Sequence, residues 1–107
     1  MHSVRVLAEA AAEAEEAAAW YEGRRPGLGS EFRAELRQAL AQLREAVVPG
    51  RAWSGVLGER GVKRVLLKRF PFSVAYVVTG TSRVVVAVAH HRKRPGYWRH
   101  RLPELEQ

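Results

Sequence analysis

Residues 88–101, VAHHRKRPGYWRHR, hold many of the side chains in this sequence that could transfer protons or bind anions. Three of the four histidines lie here, together with several arginines, a lysine, a tyrosine and a tryptophan. The segment continues a run of small apolar residues that predicts a buried strand. Because a strand end holds side chains rigidly, this segment is the first candidate for a functional site.

Cleavage of RNA by its own 2′-hydroxyl is one reaction that these residue types could catalyse. A base removes the hydroxyl proton, an acid protonates the departing 5′-oxygen, and cations stabilise the charged phosphorane. His90, His91 or Tyr97 could transfer the protons. Each histidine could also be an exposed strand-end residue without a role. The candidate cations are Arg64, Lys68, Arg69 and Arg92.

The same mixture of cations and aromatic side chains suits nucleic-acid binding. Arginine and lysine bind phosphates, and aromatic faces stack on unpaired bases. Trp98 and Tyr97 are the aromatic candidates. For Trp98 we prefer the alternative in which the ring packs back onto the sheet, since a tryptophan near a strand end is usually buried. For Tyr97 both roles stay open.

The residues needed for disulfides, metal sites and common catalytic motifs are missing from this sequence. The sequence contains neither cysteine nor aspartate, so disulfides and thiolate metal sites are excluded. Two adjacent histidines on a strand point to opposite sides, which is a poor arrangement for binding one metal ion. No phosphate-binding glycine loop and no nucleophile elbow is found. We therefore expect neither a metal nor a cofactor.

The formal net charge of +7 is distributed unevenly. Residues 1–50 hold six Lys and Arg against eight Glu, whereas residues 51–107 hold twelve against three. This asymmetry predicts a basic working surface in the second half, with a polyanion or an acidic protein as partner. A generally basic soluble protein is the alternative.

We expect neither a secretory signal peptide nor a membrane span. Four glutamates within the first twenty residues argue against a secretory signal. The most apolar run, residues 84–89, is too short to cross a membrane. We expect a cytoplasmic protein without membrane contact.

Hydrophobic periodicity predicts a first strand over residues 3–7 and two helices after it. The first helix covers residues 8–24, and its apolar face consists of Ala11, Ala14, Ala18 and Tyr21. Ser30 is the expected cap of the second helix, and Pro49 with Gly50 should end it. The apolar stripe of that helix is Phe32, Leu36, Ala39, Leu40, Leu43 and Val47.

Strand-like alternation returns after a loop over residues 49–61. Residues 62–70, 72–79 and 82–91 predict three strands, and their tight connections predict an antiparallel meander. The fold class is therefore α+β, in the order strand–helix–helix–three strands, with a helical hairpin packed on an antiparallel sheet. We expect one domain over residues 1–107, with a frayed tail at 102–107.

The last strand should be central, because both of its faces are apolar until it ends. Simple alternation places its side chains on two faces. One face would hold Val84, Val86, Val88 and His90, and the other Val85, Ala87, Ala89 and His91.

Three stretches of the sequence resemble toxins of the RelE/ParE superfamily from type II toxin–antitoxin systems. They are AAAWYEGRRPGLGSEF, VKRVLLKRFPFSVAYVV and VVVAVAHHRKRPGYWRHR, in that order and spacing. The resemblance covers residues 4–101. It implies a small toxin, encoded with an antitoxin, that halts growth when unopposed, and it implies the strand and helix order given above.

The resemblance leaves two branches open. RelE-type members cleave mRNA in the ribosome, whereas ParE-type members poison DNA gyrase by protein–protein contact and lack a nuclease site. Our main hypothesis is the ribosome-associated endoribonuclease, because basic and proton-transfer residues are predicted to meet at one sheet edge. The gyrase inhibitor is the alternative, and a non-toxic nucleic-acid-binding domain is a third possibility.

For the nuclease, the resemblance implies Arg64, His90 and Tyr97 as catalytic residues. The residues expected to bind RNA are Lys63, Lys68, Arg69, Arg92, Arg94 and Trp98.

The implied partners are a cognate antitoxin and either mRNA in the ribosome or DNA gyrase. An antitoxin that covers the basic sheet should be acidic there, and it could bind as a helix or as an added strand. Neutralisation would follow if it covered Arg64, Arg92 and Tyr97.

Overall fold

A computed structural model describes residues 3–45, 51–53, 58 and 61–102. The predicted fold class is confirmed: a helical hairpin packs on a sheet, and the elements follow the predicted order. They are β1 (Ser3–Val6), α1 (Ala8–Arg24), α2 (Leu28–Arg44), β2 (Arg51–Ala52), β3 (Lys63–Leu66), β4 (Phe72–Thr79) and β5 (Ser82–His90), followed by a 3₁₀ turn at Arg99–Arg101.

The sheet formed by the described residues has the order β1-β5-β4-β3-β2. The meander of β3, β4 and β5 is antiparallel, as predicted, and β5 is an interior strand between β1 and β4. Two features differ from the prediction. β1 pairs with β5 in parallel, so the sheet is mixed. The short strand β2 pairs with β3 from within the segment predicted as a loop.

The first helix has the predicted bounds and a face of small residues. The buried positions are Ala10, Ala14, Ala17 and Ala18, whereas the predicted Ala11 is exposed. Small side chains let the two helices come close together. A Cβ added at Gly29 of α2 would lie 2.6 Å from the carbonyl oxygen of Ala18, so only glycine fits this crossing.

The second helix begins earlier than predicted and is not capped by Ser30. Its N-cap is Gly27, whose φ of 91° is left-handed. The Glu22 carboxylate accepts hydrogen bonds from the backbone N–H groups of Gly27 and Gly29, each at 2.9 Å. These bonds hold the pKa of Glu22 below its usual value. The tight turn lets a side chain of α1 satisfy the free N–H groups of α2.

The apolar stripe of α2 is largely as predicted. Phe32, Leu36, Ala39 and Leu43 are buried, and Leu40 is partly buried. The helix ends at Arg44, and the predicted stripe residue Val47 and stop signal at residues 49–50 lie outside the described residues.

The first strand of the meander is shorter than predicted. It ends at Leu66, and the Leu67 N–H donates to the Phe72 carbonyl at 3.0 Å, closing a turn. This turn buries Phe70 in the core beneath the helices. Alternation therefore stops at Leu66, and the residues after it lie beside α2 instead of continuing along the sheet.

A bulge changes the faces of β5. Ala75 of β4 pairs with Ala87, but the next residue, Tyr76, pairs with Val85, so Val86 is an extra residue. Val85 and Val88 therefore lie on the helix side, whereas Val86 lies on the opposite side. The alternation predicted for residues 84–91 is wrong beyond Val86, because one inserted residue exchanges the faces of everything that follows.

Two clusters of buried side chains form the core, one on each side of the sheet. The helix-side cluster contains four phenylalanine and tyrosine rings, and the opposite cluster is closed by Trp98. Leu102 packs partly buried against the second cluster, and the rest of the predicted frayed tail, residues 103–107, lies outside the described residues. Within the described residues, no helix has the length and apolarity needed to cross a membrane.

Candidate functional site

The segment after β5 is held by a series of turns. The His91 N–H donates to the Pro71 carbonyl at 2.8 Å, and the Lys93 N–H donates to the His90 carbonyl at 3.0 Å. Gly96 has a φ of 80°, a left-handed conformation that favours glycine. The chain then places the Tyr97 hydroxyl on the α1 side of the sheet and packs Trp98 on the opposite side.

We call Glu13, Tyr97 and Arg101 the tail anchor, because they fix the C-terminal segment to α1. The Tyr97 hydroxyl donates to Glu13 Oε2 at 2.6 Å, and Arg101 Nη2 lies 3.0 Å from the same oxygen. The pairing of β1 with β5 reaches only Val85. Beyond it, Val88 N–H donates to Glu13 Oε1 at 3.0 Å, and Arg101 Nη1 donates to the Val86 carbonyl at 3.1 Å. The side chains of Glu13 and Arg101 thus satisfy the backbone groups of β5 beyond the end of β1.

Tyr97 is a hydrogen-bond donor in this arrangement. Burial raises the pKa of its phenol, and the hydrogen bond to Glu13 and the negative charge of that carboxylate raise it further. The Arg101 guanidinium, 5.4 Å from the ring centroid, acts in the opposite direction on the pKa of Tyr97 but has a smaller effect than these causes. The phenol therefore stays protonated at neutral pH.

His90 is held between the core and the following turn. Its ring lies edge-on to Phe72, with centroids 5.0 Å apart, and its Nδ1 accepts the Arg92 N–H at 2.9 Å. Because Nδ1 accepts, the proton of the neutral ring is on Nε2. Burial lowers the pKa of His90, and the positive charges of Arg92, His91 and Lys93 lower it further.

A cleft of about 320 Å³ lies at the same end of the sheet, on the face opposite the helices. We call it the basic cleft, defined by Arg64, His91, Lys93 and Arg94 together with Trp53 and Trp98. The guanidinium carbon of Arg64 lies 5.0 Å from the Trp53 ring centroid. His91 Nε2 is 3.1 Å from Ser73 Oγ. Strands β3 and β5 thus position two of its basic side chains.

The three residues predicted as catalytic lie around one cleft. Arg64, His90 and Tyr97 all line the basic cleft. The two groups expected to transfer protons are nevertheless engaged elsewhere, since Tyr97 bonds Glu13 and His90 Nδ1 accepts a backbone N–H.

The residues predicted to bind RNA do not form one surface. Arg94 lines the basic cleft, Arg92 is exposed on the adjoining turn, and Lys63 is exposed on β3. Lys68 and Arg69 lie away from them, beside α2. Arg69 pairs with Glu31 at 3.2 Å and Glu35 at 3.5 Å, and the Lys68 backbone N–H donates to Glu35. The early end of β3 explains this displacement.

Trp98 is fully buried and lies edge-on to Trp53, with centroids 5.1 Å apart. Trp98 therefore has the packing role that we preferred from the sequence. Its ring offers no exposed face on which a base could stack. Glu13 and Trp53 were missed as site residues. Glu13 could have been found from the sequence, because it lies among Ala10, Ala14 and Ala17 on the close-packed face of α1.

The described residues do not group side chains that could bind a metal ion together. Within residues 3–45, 51–53, 58 and 61–102, no group of three or more histidine, cysteine, aspartate or glutamate side chains could hold a metal ion.

Comparison with known proteins gives consistent results. Residues 4–95 match the family described as ParE toxin of type II toxin–antitoxin system, parDE. The fold is similar to that of a chain in the structure of the chromosomal ParDE toxin–antitoxin system from P. aeruginosa, with a TM-score of 0.71 and 20% sequence identity. The similarity covers 84% of this chain and 96% of that chain. No curated protein has a sequence that matches this one.

Proposed function

We propose, from the premise that this chain belongs to the ParE toxin family of type II toxin–antitoxin systems, that it inhibits DNA gyrase by protein–protein contact. The family match favours this alternative over the mRNA endoribonuclease, which was our main hypothesis from the sequence. It does not support RNA binding or endoribonuclease activity. Membership of a toxin–antitoxin family also implies a cognate antitoxin as partner.

The observation that carries the proposal is the hydrogen bond from Tyr97 to Glu13. A phenol that donates to a carboxylate at 2.6 Å, with a raised pKa, is not available to remove a proton from a 2′-hydroxyl. Glu13 is equally engaged, since it also accepts from Val88 and pairs with Arg101. The hydrogen bond between Tyr97 and Glu13 is therefore a structural link between α1 and the C-terminal segment.

His90 supports the same conclusion. A general base needs a free lone pair, but Nδ1 already accepts the Arg92 N–H. A general acid at neutral pH would be the imidazolium, but the lowered pKa of His90 favours the neutral ring. The basic cleft also holds Arg64, Lys93 and Arg94, with His91 Nε2 3.1 Å from Ser73 Oγ, and these side chains can bind an anion.

The test compares the two targets directly. Purified chain is added to DNA gyrase with relaxed plasmid and ATP, and separately to translating ribosomes with a defined mRNA. We expect loss of supercoiling and accumulation of cleaved plasmid, with no new mRNA ends. The control is the chain mixed beforehand with its cognate antitoxin, which should restore supercoiling. Cleavage of ribosome-bound mRNA with gyrase unaffected would overturn the proposal.

The antitoxin is expected to carry carboxylates where it covers the basic end of the sheet. Arg92 is exposed and Arg64 and Tyr97 are partly exposed, so one acidic segment could cover all three. Charge reversal by Arg92→Glu should weaken antitoxin binding, whereas Arg37→Glu on the exposed surface of α2 should not. A complex in which the antitoxin leaves Arg64, Arg92 and Tyr97 uncovered would contradict this part of the proposal.

A further inference from the structure

We propose that the basic cleft binds phosphodiester groups of a nucleic-acid backbone, without cleaving them. This activity goes beyond gyrase inhibition and does not depend on it. The cleft gathers Arg64 from β3, His91 from the end of β5, and Lys93 and Arg94 from the turn that follows. Guanidinium and ammonium groups are the side chains that bind phosphate most strongly.

The charges of this cleft distinguish it from its neighbours. A second cleft, between α1 and the tail, contains Glu13 and Glu16, and a third, between α2 and β3, contains Glu31 and Glu35. No carboxylate is found among the described residues that line the basic cleft. Its positive charges therefore add to one another, and an anion gains from all of them.

Two donors of the cleft, Arg64 and His91, are held in place before any ligand binds. The Arg64 guanidinium lies against the Trp53 ring, and its buried Nε–H has no hydrogen-bond partner in the described chain. The Ser73 hydroxyl holds the His91 ring. Because β3 and β5 belong to one sheet, on either side of β4, these two side chains are positioned before binding and need little further ordering. A phosphate oxygen is the kind of acceptor that the Arg64 Nε–H lacks.

A polynucleotide fits this surface better than an isolated anion does. Exposed Arg92 and Arg99 extend the positive charge beyond the cleft along the same C-terminal segment. A nucleic-acid backbone carries one negative charge per nucleotide, so it can contact the cleft and the adjoining cations together. An acidic polypeptide would need carboxylates placed to match, and the test includes one.

Binding is measured by fluorescence anisotropy in the absence of gyrase. The probes are labelled oligothymidine and oligouridine of about 12 nucleotides, a length within the site size of single-strand-binding domains. The double variant Arg64→Gln/Arg94→Gln should bind at least about tenfold more weakly, and the slope of log affinity against log salt should fall by about 1.4. Circular dichroism and thermal unfolding show whether this variant is folded.

The matched control is Arg37→Gln/Arg69→Gln. It removes the same charge, but Arg37 is exposed on α2 and Arg69 is paired with Glu31 and Glu35. Its affinity should stay within about twofold, because neither side chain lies near the cleft. Equal weakening by the two double variants would overturn the proposal, since binding would then follow net charge alone.

Indole resonances locate the ligand on the unmodified chain. Trp53 and Trp98 line the basic cleft, whereas Trp20 is exposed on α1 and lines the second cleft. Titration with a thymidine dinucleotide should shift the indole N–H signals of Trp53 and Trp98 and leave that of Trp20 unchanged. Tryptophan-to-phenylalanine variants assign the three signals. A shift of Trp20 alone, or of none, would overturn the proposal.

The remaining comparisons identify the polymer. Tighter binding of oligothymidine indicates DNA, and tighter binding of oligouridine indicates RNA; either result supports a phosphodiester site. Polyglutamate of matched charge should bind at least about tenfold more weakly than either. Equal affinity for polyglutamate would overturn the proposal and assign the cleft to an acidic polypeptide.

Discussion

The tail anchor and the basic cleft are both built on the end of β5, yet their cations have different environments. In the tail anchor, the Arg101 side chain is 11% exposed and shares the Glu13 carboxylate with Tyr97. In the basic cleft, Lys93 and Arg94 are exposed, and no described lining residue carries a carboxylate. An arginine with a buried acid partner stabilises the fold, whereas one without such a partner can bind a ligand.

The same contrast occurs within one short segment. Arg64 and Arg69 lie five positions apart in the sequence, and both were candidates for one cationic surface. Arg69 lies against Glu31 and Glu35 of α2, whereas Arg64 lies against Trp53 in the basic cleft. Counting cations in the sequence therefore overestimates the surface available to an anion, because it does not show which of them are paired.

The largest expected effect is the loss of Glu13, which tests whether the tail anchor is structural. Glu13→Ala leaves the partly buried Arg101 without its partner and the Val88 N–H without an acceptor. We expect the free energy of unfolding to fall by about 2–3 kcal/mol, measured by urea denaturation. Glu16→Ala, an exposed neighbour on the same helix, is the control and should change stability little. Equal losses of stability in the two variants would show that the tail anchor is not structural.

Arg101→Gln and Arg94→Gln compare the two regions with one chemical change. Arg101 donates to the Val86 carbonyl and pairs with Glu13, so its loss should cost about 2 kcal/mol of stability. Arg94 is exposed, so its loss should cost less than about 0.5 kcal/mol and should instead weaken oligonucleotide binding. If Arg94→Gln destabilised the chain as much as Arg101→Gln, the comparison would fail.

Gly96 lies between Arg94 of the basic cleft and Tyr97 of the tail anchor, and its backbone conformation decides where Tyr97 and Trp98 lie. Gly96→Ala should destabilise by about 1–2 kcal/mol, since a side chain disfavours a φ of 80°. Gly23→Ala is the control, because this helical position has nothing within 4 Å of an added Cβ. It should stabilise by about 0.5–1 kcal/mol. Thermal unfolding should show a lower melting temperature for Gly96→Ala and a higher one for Gly23→Ala.

The smallest effect concerns pH and His90, which lines both the basic cleft and the second cleft that contains Glu13 and Tyr97. Its pKa in the folded chain is lowered, so the unfolded chain takes up the proton first as the pH falls. The stability that neutral His90 contributes is present above its unfolded pKa and is lost on acidification. The wild type should therefore lose more stability between neutral and mildly acidic pH than His90→Asn, whose amide oxygen can still accept the Arg92 N–H. Exposed His100→Asn is the control and should follow the wild type.

Much of the fold could be predicted from the sequence, because periodicity reports which residues are buried. The order of elements, the bounds of α1, the meander and the interior position of β5 all follow from it. The bulge at Val86 could not be predicted in this way. Both faces of β5 are apolar there, so an extra residue leaves the hydrophobic pattern unchanged while it moves His90 to the helix side.

The candidate site was predicted only in part. Arg64, His90 and Tyr97 do line one cleft, as the convergence of strand ends indicated. The partners that determine their chemistry come from distant positions, as with Glu13, which lies 84 positions before Tyr97. Local patterns carry no information on such pairs, and they therefore favoured a nuclease over a binding protein.

The most direct test of the account follows Tyr97→Phe in cells, with wild type for comparison. Expression of each is followed by mapping of mRNA ends and of DNA breaks, at matched amounts of folded protein. We expect gyrase-linked DNA breaks with both chains and new mRNA ends with neither, because the hydroxyl serves only the tail anchor. New mRNA ends with the wild type that disappear with Tyr97→Phe would contradict it.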